Sequence, residues 1–375
     1  MNTAAAVARA PLPAALSALS PVSNRLFGLS GQAPHERVLL VADPASGLQA
    51  ILAVHSTARG PAFGGCRFWS YADDASALTD ALRLSHGMSL KNALADLPFG
   101  GGKAVIVKPA GSFDREALFA AFGRAVQSLD GRYITAEDVG TTTADMRVVQ
   151  RHTAFVSGIP REAGSFGGDP SPWTALGVFV SIEAGVRRVL GRDSLAGVRV
   201  AVQGLGAVGM HLAAMLHAAG ASLTVADVNA ERAAEAGKRF GASVVGVDAI
   251  LATRADVLAP CAMGAVLDAR SIGALQVRLV AGAANNQLAT AEDGDRLHAR
   301  GITYLPDYLV NAGGIVSVAR EYRGEGETGA VDAEVRRIGD RVSELLDRVE
   351  AAHGQPGQTP ARIADAWARS KLTAA

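Results

Sequence analysis

Val200-Ala201-Val202-Gln203-Gly204-Leu205-Gly206-Ala207-Val208-Gly209 decides the fold of the second half of this chain. An apolar run enters a glycine-spaced turn, and an apolar helical pattern follows over residues 208–219. The first glycine permits a tight turn, the second lets the backbone approach a pyrophosphate, and the third lets helix pack on strand. A helix starting there offers free N–H groups and a partial positive charge to phosphates. Asp227 ends the next apolar strand, where a carboxylate accepts from ribose hydroxyls and repels a 2′-phosphate. Such glycine spacing is weak alone in a chain with 42 glycines. The strand before it, the helix after it and Asp227 together make Gly204, Leu205, Gly206, Ala207, Val208, Gly209 and Asp227 a dinucleotide site, with NAD favoured over NADP.

Around this stretch, helical and strand patterns alternate: helix 174–190, strand 198–203, helix 208–219, strand 222–227, helix 230–240, and further units to residue 280. Alternation of this kind predicts a doubly wound parallel sheet. Upstream, residues 37–55 read as strand, turn and strand around Asp43-Pro44-Ala45-Ser46-Gly47. A helical spacing over 75–88, a strand at 104–107, a helix at 115–129 and a short strand at 133–136 follow. The expected architecture is α/β with two domains: an N-terminal α/β catalytic domain and a doubly wound Rossmann NAD-binding domain, separated by a cleft. The expected divisions are a disordered extension over 1–24, a catalytic domain over 25–165, the Rossmann domain over 166–306, and a helical segment over 307–375 packing back across the cleft.

Composition narrows the possibilities. A chain of 375 residues supports two cores. Its formal net charge is zero with 19% charged residues and no basic run, which excludes nucleic acid and anionic membranes as evident partners. The longest uncharged stretch, 200–226, is broken by four glycines and two histidines and reads as strand, helix and strand rather than a membrane span. Two distant cysteines, Cys66 and Cys261, exclude a disulfide framework and fit a reducing cytoplasm. The eight histidines show no triad or metal-ligand spacing, and no metal site is expected.

The chemistry is carried by Gly87-Met88-Ser89-Leu90-Lys91-Asn92-Ala93-Leu94-Ala95-Asp96-Leu97-Pro98-Phe99-Gly100-Gly101-Gly102-Lys103. Lysine is rarely buried without a purpose. Lys103, after three glycines and at the mouth of an apolar strand, is placed for chemistry. A second cation nearby lowers an amine's pKa and makes it a usable base. A phosphate-binding P-loop is excluded, because Leu97 stands at its first glycine and Ala104 follows the lysine where Ser or Thr is needed.

These segments resemble the Glu/Leu/Phe/Val amino-acid dehydrogenase family, with leucine and phenylalanine dehydrogenases nearest in character. The resemblance spans about residues 37–318 in ordered blocks. They are Gly60-Pro61-Ala62-Phe63-Gly64-Gly65-Cys66-Arg67, Met88 through Lys103, Thr135-Ala136-Glu137-Asp138-Val139-Gly140-Thr141, Gly168-Asp169-Pro170-Ser171-Pro172-Trp173-Thr174, Ala259-Pro260-Cys261-Ala262, Ala284-Asn285-Asn286-Gln287 and Asn311-Ala312-Gly313-Gly314. The resemblance implies that Lys91 holds the substrate carboxylate with help from Asn285. It further implies that Lys103 is the catalytic lysine, activating water as the neutral amine, and that Asp138 takes a proton from the substrate ammonium. Thr174 would grip the nicotinamide carboxamide, and Pro260, Cys261 and Ala262 would line the cofactor cleft. A homo-oligomer assembled through the first domain is implied, as are a small-molecule L-amino acid or 2-oxo acid and ammonia as partners.

Each residue also has a plainer reading. Lys91 fits a helix-end cation, Asp138 a cap for helix 143–150, Asn285 a turn residue, and Cys261 a small packed residue. A non-catalytic metabolite-binding relative would be expected to have lost Lys103 or Asp138, and both are present. A dehydrogenase of the same architecture for another metabolite is the remaining alternative.

Glutamate-specific relatives carry a lysine where this chain has Phe63, so a buried glutamate side chain would lack its counter-charge. The resemblance instead implies an apolar pocket from Phe63, Gly64, Met88, Ala136, Ile315 and Val318. Phe63 either narrows that pocket toward valine and leucine or stacks on an aromatic substrate; the sequence leaves both open.

Overall fold

Among the described residues, two six-stranded sheets organise the chain. The structure is a computed structural model, describing residues 34–159, 167–262, 264–353, 355 and 357–373. The extension expected over 1–24 lies outside the described residues, as does the expected division between residues 165 and 166.

The first sheet contains β1 (Arg37–Asp43), β2 (Leu48–Ser56), β3 (Ala62–Phe63), β4 (Cys66–Trp69), β5 (Gly100–Val107) and β6 (Tyr133–Ile134). Its order is β1-β2-β5-β3-β6, with β4 also paired to β5. The β1–β2 turn closes where Gly47 takes φ 74° and Ser46 Oγ donates to Asp43 Oδ2 at 2.9 Å. Helices α1 (Asp74–Leu94), α2 (Arg115–Gln127) and α3 (Thr143–Gln150) accompany this sheet. Leu118, Phe119 and Phe122 of α2 pack into one core with Leu52 and Ile106 of the sheet.

The glycine triplet corrects the expectation of a strand beginning at Ala104. Gly100, Gly101 and Gly102 are themselves in β5, which makes Lys103 a mid-strand residue rather than one at its mouth. Close packing explains all three. A Cβ on Gly100 would lie 1.9 Å from Ser56 O, one on Gly101 2.1 Å from Ser89 N, and one on Gly102 2.7 Å from the Tyr133 ring. Glycine inside a strand marks such approaches of other backbone.

The second sheet is wholly parallel: β7 (Arg199–Gln203), β8 (Ser222–Ala226), β9 (Ser243–Val244), β10 (Val257–Pro260), β11 (Leu279–Val280) and β12 (Thr303–Tyr304), in the order β12-β11-β10-β7-β8-β9. Strand order reverses between β7 and β10, the switch point at which such sheets bind ligands. Its helices are α4 (Ser171–Leu190), α5 (Ala207–Ala218), α6 (Ala230–Phe240), α7 (Ala269–Ala274) and α8 (Glu292–Ala299). The uncharged stretch 200–226 is thus β7, α5 and β8. No helix among the described residues is long and apolar enough to cross a membrane.

The chain closes with α9 (Asp307–Val310), α10 (Gly313–Arg323), α11 (Thr328–Ala351) and α12 (Pro360–Thr373). Gly313 and Gly314 seat α10 on the start of α4, since Cβ atoms there would lie 1.9 Å from Trp173 O and 2.5 Å from Thr174 Oγ1. The last two helices return to the first lobe. Arg341 donates to Ala95 O at 3.1 Å, and Arg59 donates to Lys371 O at 2.9 Å.

Candidate active site

A cleft of about 630 Å³ opens between elements of the two sheets. From the first come Arg67, Met88, Lys91, Lys103, Ala136 and Asp138; from the second, Gly206, Ala207, Val208, Cys261, Ala262 and Asn285. Thr174, Asp307, Asn311, Ile315 and Val318 complete its wall.

Close packing at Gly101 brings α1 onto β5, so a helix-borne lysine and a strand-borne lysine reach the same space. Lys91 is 9% exposed and Lys103 is 3% exposed, both well below the usual state of lysine. Lys103 Nζ lies 2.8 Å from Asp138 Oδ2. Asp138 is presented by a loop locked by Thr141, whose hydroxyl donates to Cys66 O at 3.2 Å and accepts from Asp138 N at 2.8 Å. Gly65 allows this loop to close in, because a Cβ there would lie 2.7 Å from Glu137 O and 2.9 Å from Asp138 Cβ. Helix α3 is capped by Thr142, with Asp145 completing a capping box. The plainer reading of Asp138 as its cap therefore fails.

Burial would raise the Asp138 carboxyl, but Lys103 and Arg67 outweigh it and hold the group down at about 2. Burial lowers Lys91 to about 8; Asp307 opposes that shift and Lys103 adds to it. Lys103 is in contact with a carboxylate, and the second cation expected nearby is Lys91, close enough for the two lysines to repel. Lys91 Nζ donates to Asn285 Oδ1 at 3.4 Å, and Asn311 Nδ2 donates to the same oxygen at 3.0 Å. Asn285 lies in a turn, and its side chain also reaches across to Lys91.

Met88, Ala136, Ile315 and Val318 form the apolar wall beside these polar groups. Phe63 and Gly64 correct the expected pocket. Phe63 is fully buried, edge-on to Phe99 at 5.1 Å and Tyr322 at 5.9 Å, within the cluster that supports the wall rather than on its face. Gly64 is a backbone contact, where a Cβ would lie 2.0 Å from Gly102 O.

The glycine turn has the shape the sequence implied. Gly204 takes φ 94°, and its missing Cβ leaves room for Ala262, 2.8 Å from that position. A Cβ on Gly209 would lie 2.0 Å from Gly204 O, so this glycine packs helix on turn. Gly206 differs: the nearest atom to its absent Cβ is 3.9 Å away. It begins α5 with no side-chain cap, leaving N–H groups for an anion at the cleft. Leu205 is buried, and its N–H donates to Asp227 Oδ2 at 2.6 Å. Asp227 Oδ1 accepts from Asn229 N at 2.7 Å and lies 3.9 Å from Arg232 Nε. Open space at Gly206 with uncapped N–H groups fits the pyrophosphate of a dinucleotide. Thr174 borders the same cleft, its hydroxyl donating to Pro170 O at 3.2 Å. Burial pushes the Cys261 thiol up to about 11, consistent with a packed wall residue and not a nucleophile.

Sequence reasoning gave no role to several polar groups of the cleft. Arg67 and Asp80 form an ion pair at 2.8 Å, and Asp307 and Asn311 flank Lys91 and Asn285. Arg67 and Asn311 both stood inside quoted motifs, and a charged or amide residue there was the available signal.

A doubly wound nucleotide sheet facing a lysine-, aspartate- and asparagine-lined cleft defines a two-domain dehydrogenase using a nicotinamide cofactor. Residues 35–155 match the Glu/Leu/Phe/Val dehydrogenase dimerisation domain, and residues 230–356 match the glutamate/leucine/phenylalanine/valine dehydrogenase domain. The chain is 46% identical to leucine dehydrogenase of Geobacillus stearothermophilus over 83% of its own length and 84% of the relative. It is 43% identical to valine dehydrogenase of Streptomyces virginiae over 92% and 95% of the two chains. The crystal structure of L-tryptophan dehydrogenase from Nostoc punctiforme is similar with a TM-score of 0.75 and 37% identity, covering 94% of this chain and 98% of that one. The chain belongs to the Glu/Leu/Phe/Val dehydrogenase family and is an amino-acid dehydrogenase, an oxidoreductase.

Proposed function

We propose that the protein catalyses the reversible, NAD-dependent oxidative deamination of an apolar L-amino acid, consuming water and giving the 2-oxo acid, ammonia and NADH. The observation that carries this reading is the cleft itself: Lys91, Lys103 and Asp138 converge beside the wall of Met88, Ala136, Ile315 and Val318. Similarity to leucine, valine and tryptophan dehydrogenases supports an apolar side chain. The wall of Met88, Ala136, Ile315 and Val318 offers no cation to a glutamate side chain, whose buried charge would stand unpaired against it.

Lys91, assisted by Asn285, holds the substrate carboxylate. Asp138, ionised at neutral pH, takes the proton from the substrate ammonium. The nicotinamide ring, when bound, supplies the hydride acceptor. Lys103, as the neutral amine, then takes a proton from the water that attacks the substrate iminium, and Asp138 returns its proton to the nitrogen as ammonia leaves. Thr174 orients the carboxamide, Cys261 and Ala262 border the ring, and the glycine turn receives the pyrophosphate. Asp227 supports NAD over NADP, because its carboxylate accepts from ribose hydroxyls and repels a 2′-phosphate.

The proposed organisation is a catalytic and oligomerisation domain over 25–165, the nucleotide domain over 166–306 and a C-terminal segment over 307–375. The match to a dimerisation domain supports a homo-oligomer, and the two free cysteines support a cytoplasmic setting.

NADH absorbance with a panel of L-amino acids tests the reading. Aliphatic or aromatic substrates should reduce NAD, with NADP much poorer. No reduction with any apolar amino acid overturns the function; glutamate as best substrate overturns the pocket argument.

A further inference from the structure

Asp138 meets a second cation that the scheme above does not use. Arg67 Nε lies 3.4 Å from Asp138 Oδ2, the oxygen that Lys103 Nζ approaches at 2.8 Å. Arg67 projects from β4, which pairs in parallel with β5, so strand pairing fixes where its side chain starts. The far end is anchored as well. Arg67 NH1 donates to Asp80 Oδ2 on α1 at 2.8 Å, and the Tyr71 hydroxyl donates to the same oxygen at 2.6 Å. The Arg67 side chain is 14% exposed and its guanidinium is held between two carboxylates, a task its rigid fork suits better than a flexible ammonium.

We propose that Arg67 is a positioning residue of the deamination, holding Asp138 in the orientation and charge state needed to take the substrate's proton. The inference rests on the reading of Asp138 as proton acceptor. Arg67 works through Asp138, and Asp80 with Tyr71 keeps the guanidinium aimed. The titratable and charged groups around this pair are Lys103 on β5, Lys91 and Asp80 on α1, Tyr71, Cys66 on β4, Tyr133 on β6, Glu137, and Asp145 on α3. Removing the fixed positive charge of Arg67 makes proton-binding groups of the cleft bind protons more tightly. Removing the negative charge of Asp80 does the opposite.

The test is the pH profile of kcat/KM for amino-acid oxidation in wild type, R67Q, R67K, D80N and D138N, with the melting temperature of each. In R67Q the acid limb should move to higher pH by about one unit or more, with lower kcat and unchanged KM for NAD. R67K, which keeps the charge, should return the limb toward wild type, and D80N should move it to lower pH. A purely structural arginine would alter melting temperature without these opposed shifts. An unmoved limb in folded R67Q, with D138N inactive, overturns the positioning role; if R67Q does not fold, an unmoved limb in D80N does so. Wild-type kcat in D138N instead overturns the reading of Asp138, and the role of Arg67 with it.

Discussion

Lys103 and Asp138 meet at 2.8 Å although thirty-five positions separate them in sequence, one from the middle of a strand and the other from a loop. Each is therefore positioned by a different part of the first lobe. Replacing Lys103 with Ala should lower kcat by roughly 10²- to 10⁴-fold, the span of a lost general base. NAD affinity, measured by titration calorimetry, should be nearly unchanged. Loss of NAD binding in K103A would show that the lysine supports the fold of the cleft instead.

Lys91 gives a pH prediction. Burial, reinforced by Lys103 and opposed by Asp307, lowers it to about 8, so the free enzyme loses this positive charge above that pH. The KM for the 2-oxo acid in the amination direction should therefore rise from about pH 8 upward. K91R keeps its charge across this range, and its KM should stay flat. A KM for wild type that is constant to pH 10 would remove Lys91 from carboxylate binding.

The glycines of the nucleotide turn separate binding from folding. A Cβ at Gly209 would sit 2.0 Å from Gly204 O, so G209A should express poorly or melt well below wild type. At Gly206 the nearest atom is 3.9 Å away, so G206A should keep the wild-type melting temperature while its KM for NAD rises several-fold. Equal NAD affinity in G206A and wild type would place the pyrophosphate elsewhere.

Two half-buried histidines, His55 and His86, make the fold acid-sensitive away from the cleft. His55 contacts His35 and His86 at ring separations of 5.0 and 4.7 Å, and its Nδ1 lies 2.7 Å from Ser89 Oγ. Burial first, then neighbouring histidines and Arg369, lowers His55 to about 3; burial and Arg369 lower His86 to about 4. Such groups stay neutral in the fold while the unfolded chain takes up protons below about 6.5. Stability is thus complete above that pH and declines as pH falls toward 4 and then 3. Melting temperature should drop more steeply between pH 7 and 5 in wild type than in H86Q.

Periodicity made the second sheet legible, because repeated strands and helices bury one face each and announce their period. Helix α6 falls on the residues its pattern marked, with Asn229 capping it. The glycine triplet was misread because its reason is tertiary: Ser56, Ser89 and Tyr133 press on it from distant positions. Phe63 was assigned to the pocket by correspondence, yet Phe99 and Tyr322 draw its ring into the packing behind the wall. The Arg67–Asp80 pair eluded a linear reading because partners on a strand and a helix carry no common spacing.

One contact joins the two lobes inside the cleft. Lys91 belongs to the first and Asn285 to the second, and they touch at 3.4 Å. On the roles proposed above, the clasp for the carboxylate is divided like the halves of a buckle. Because its halves sit on different lobes, any movement that parts them takes the clasp itself apart.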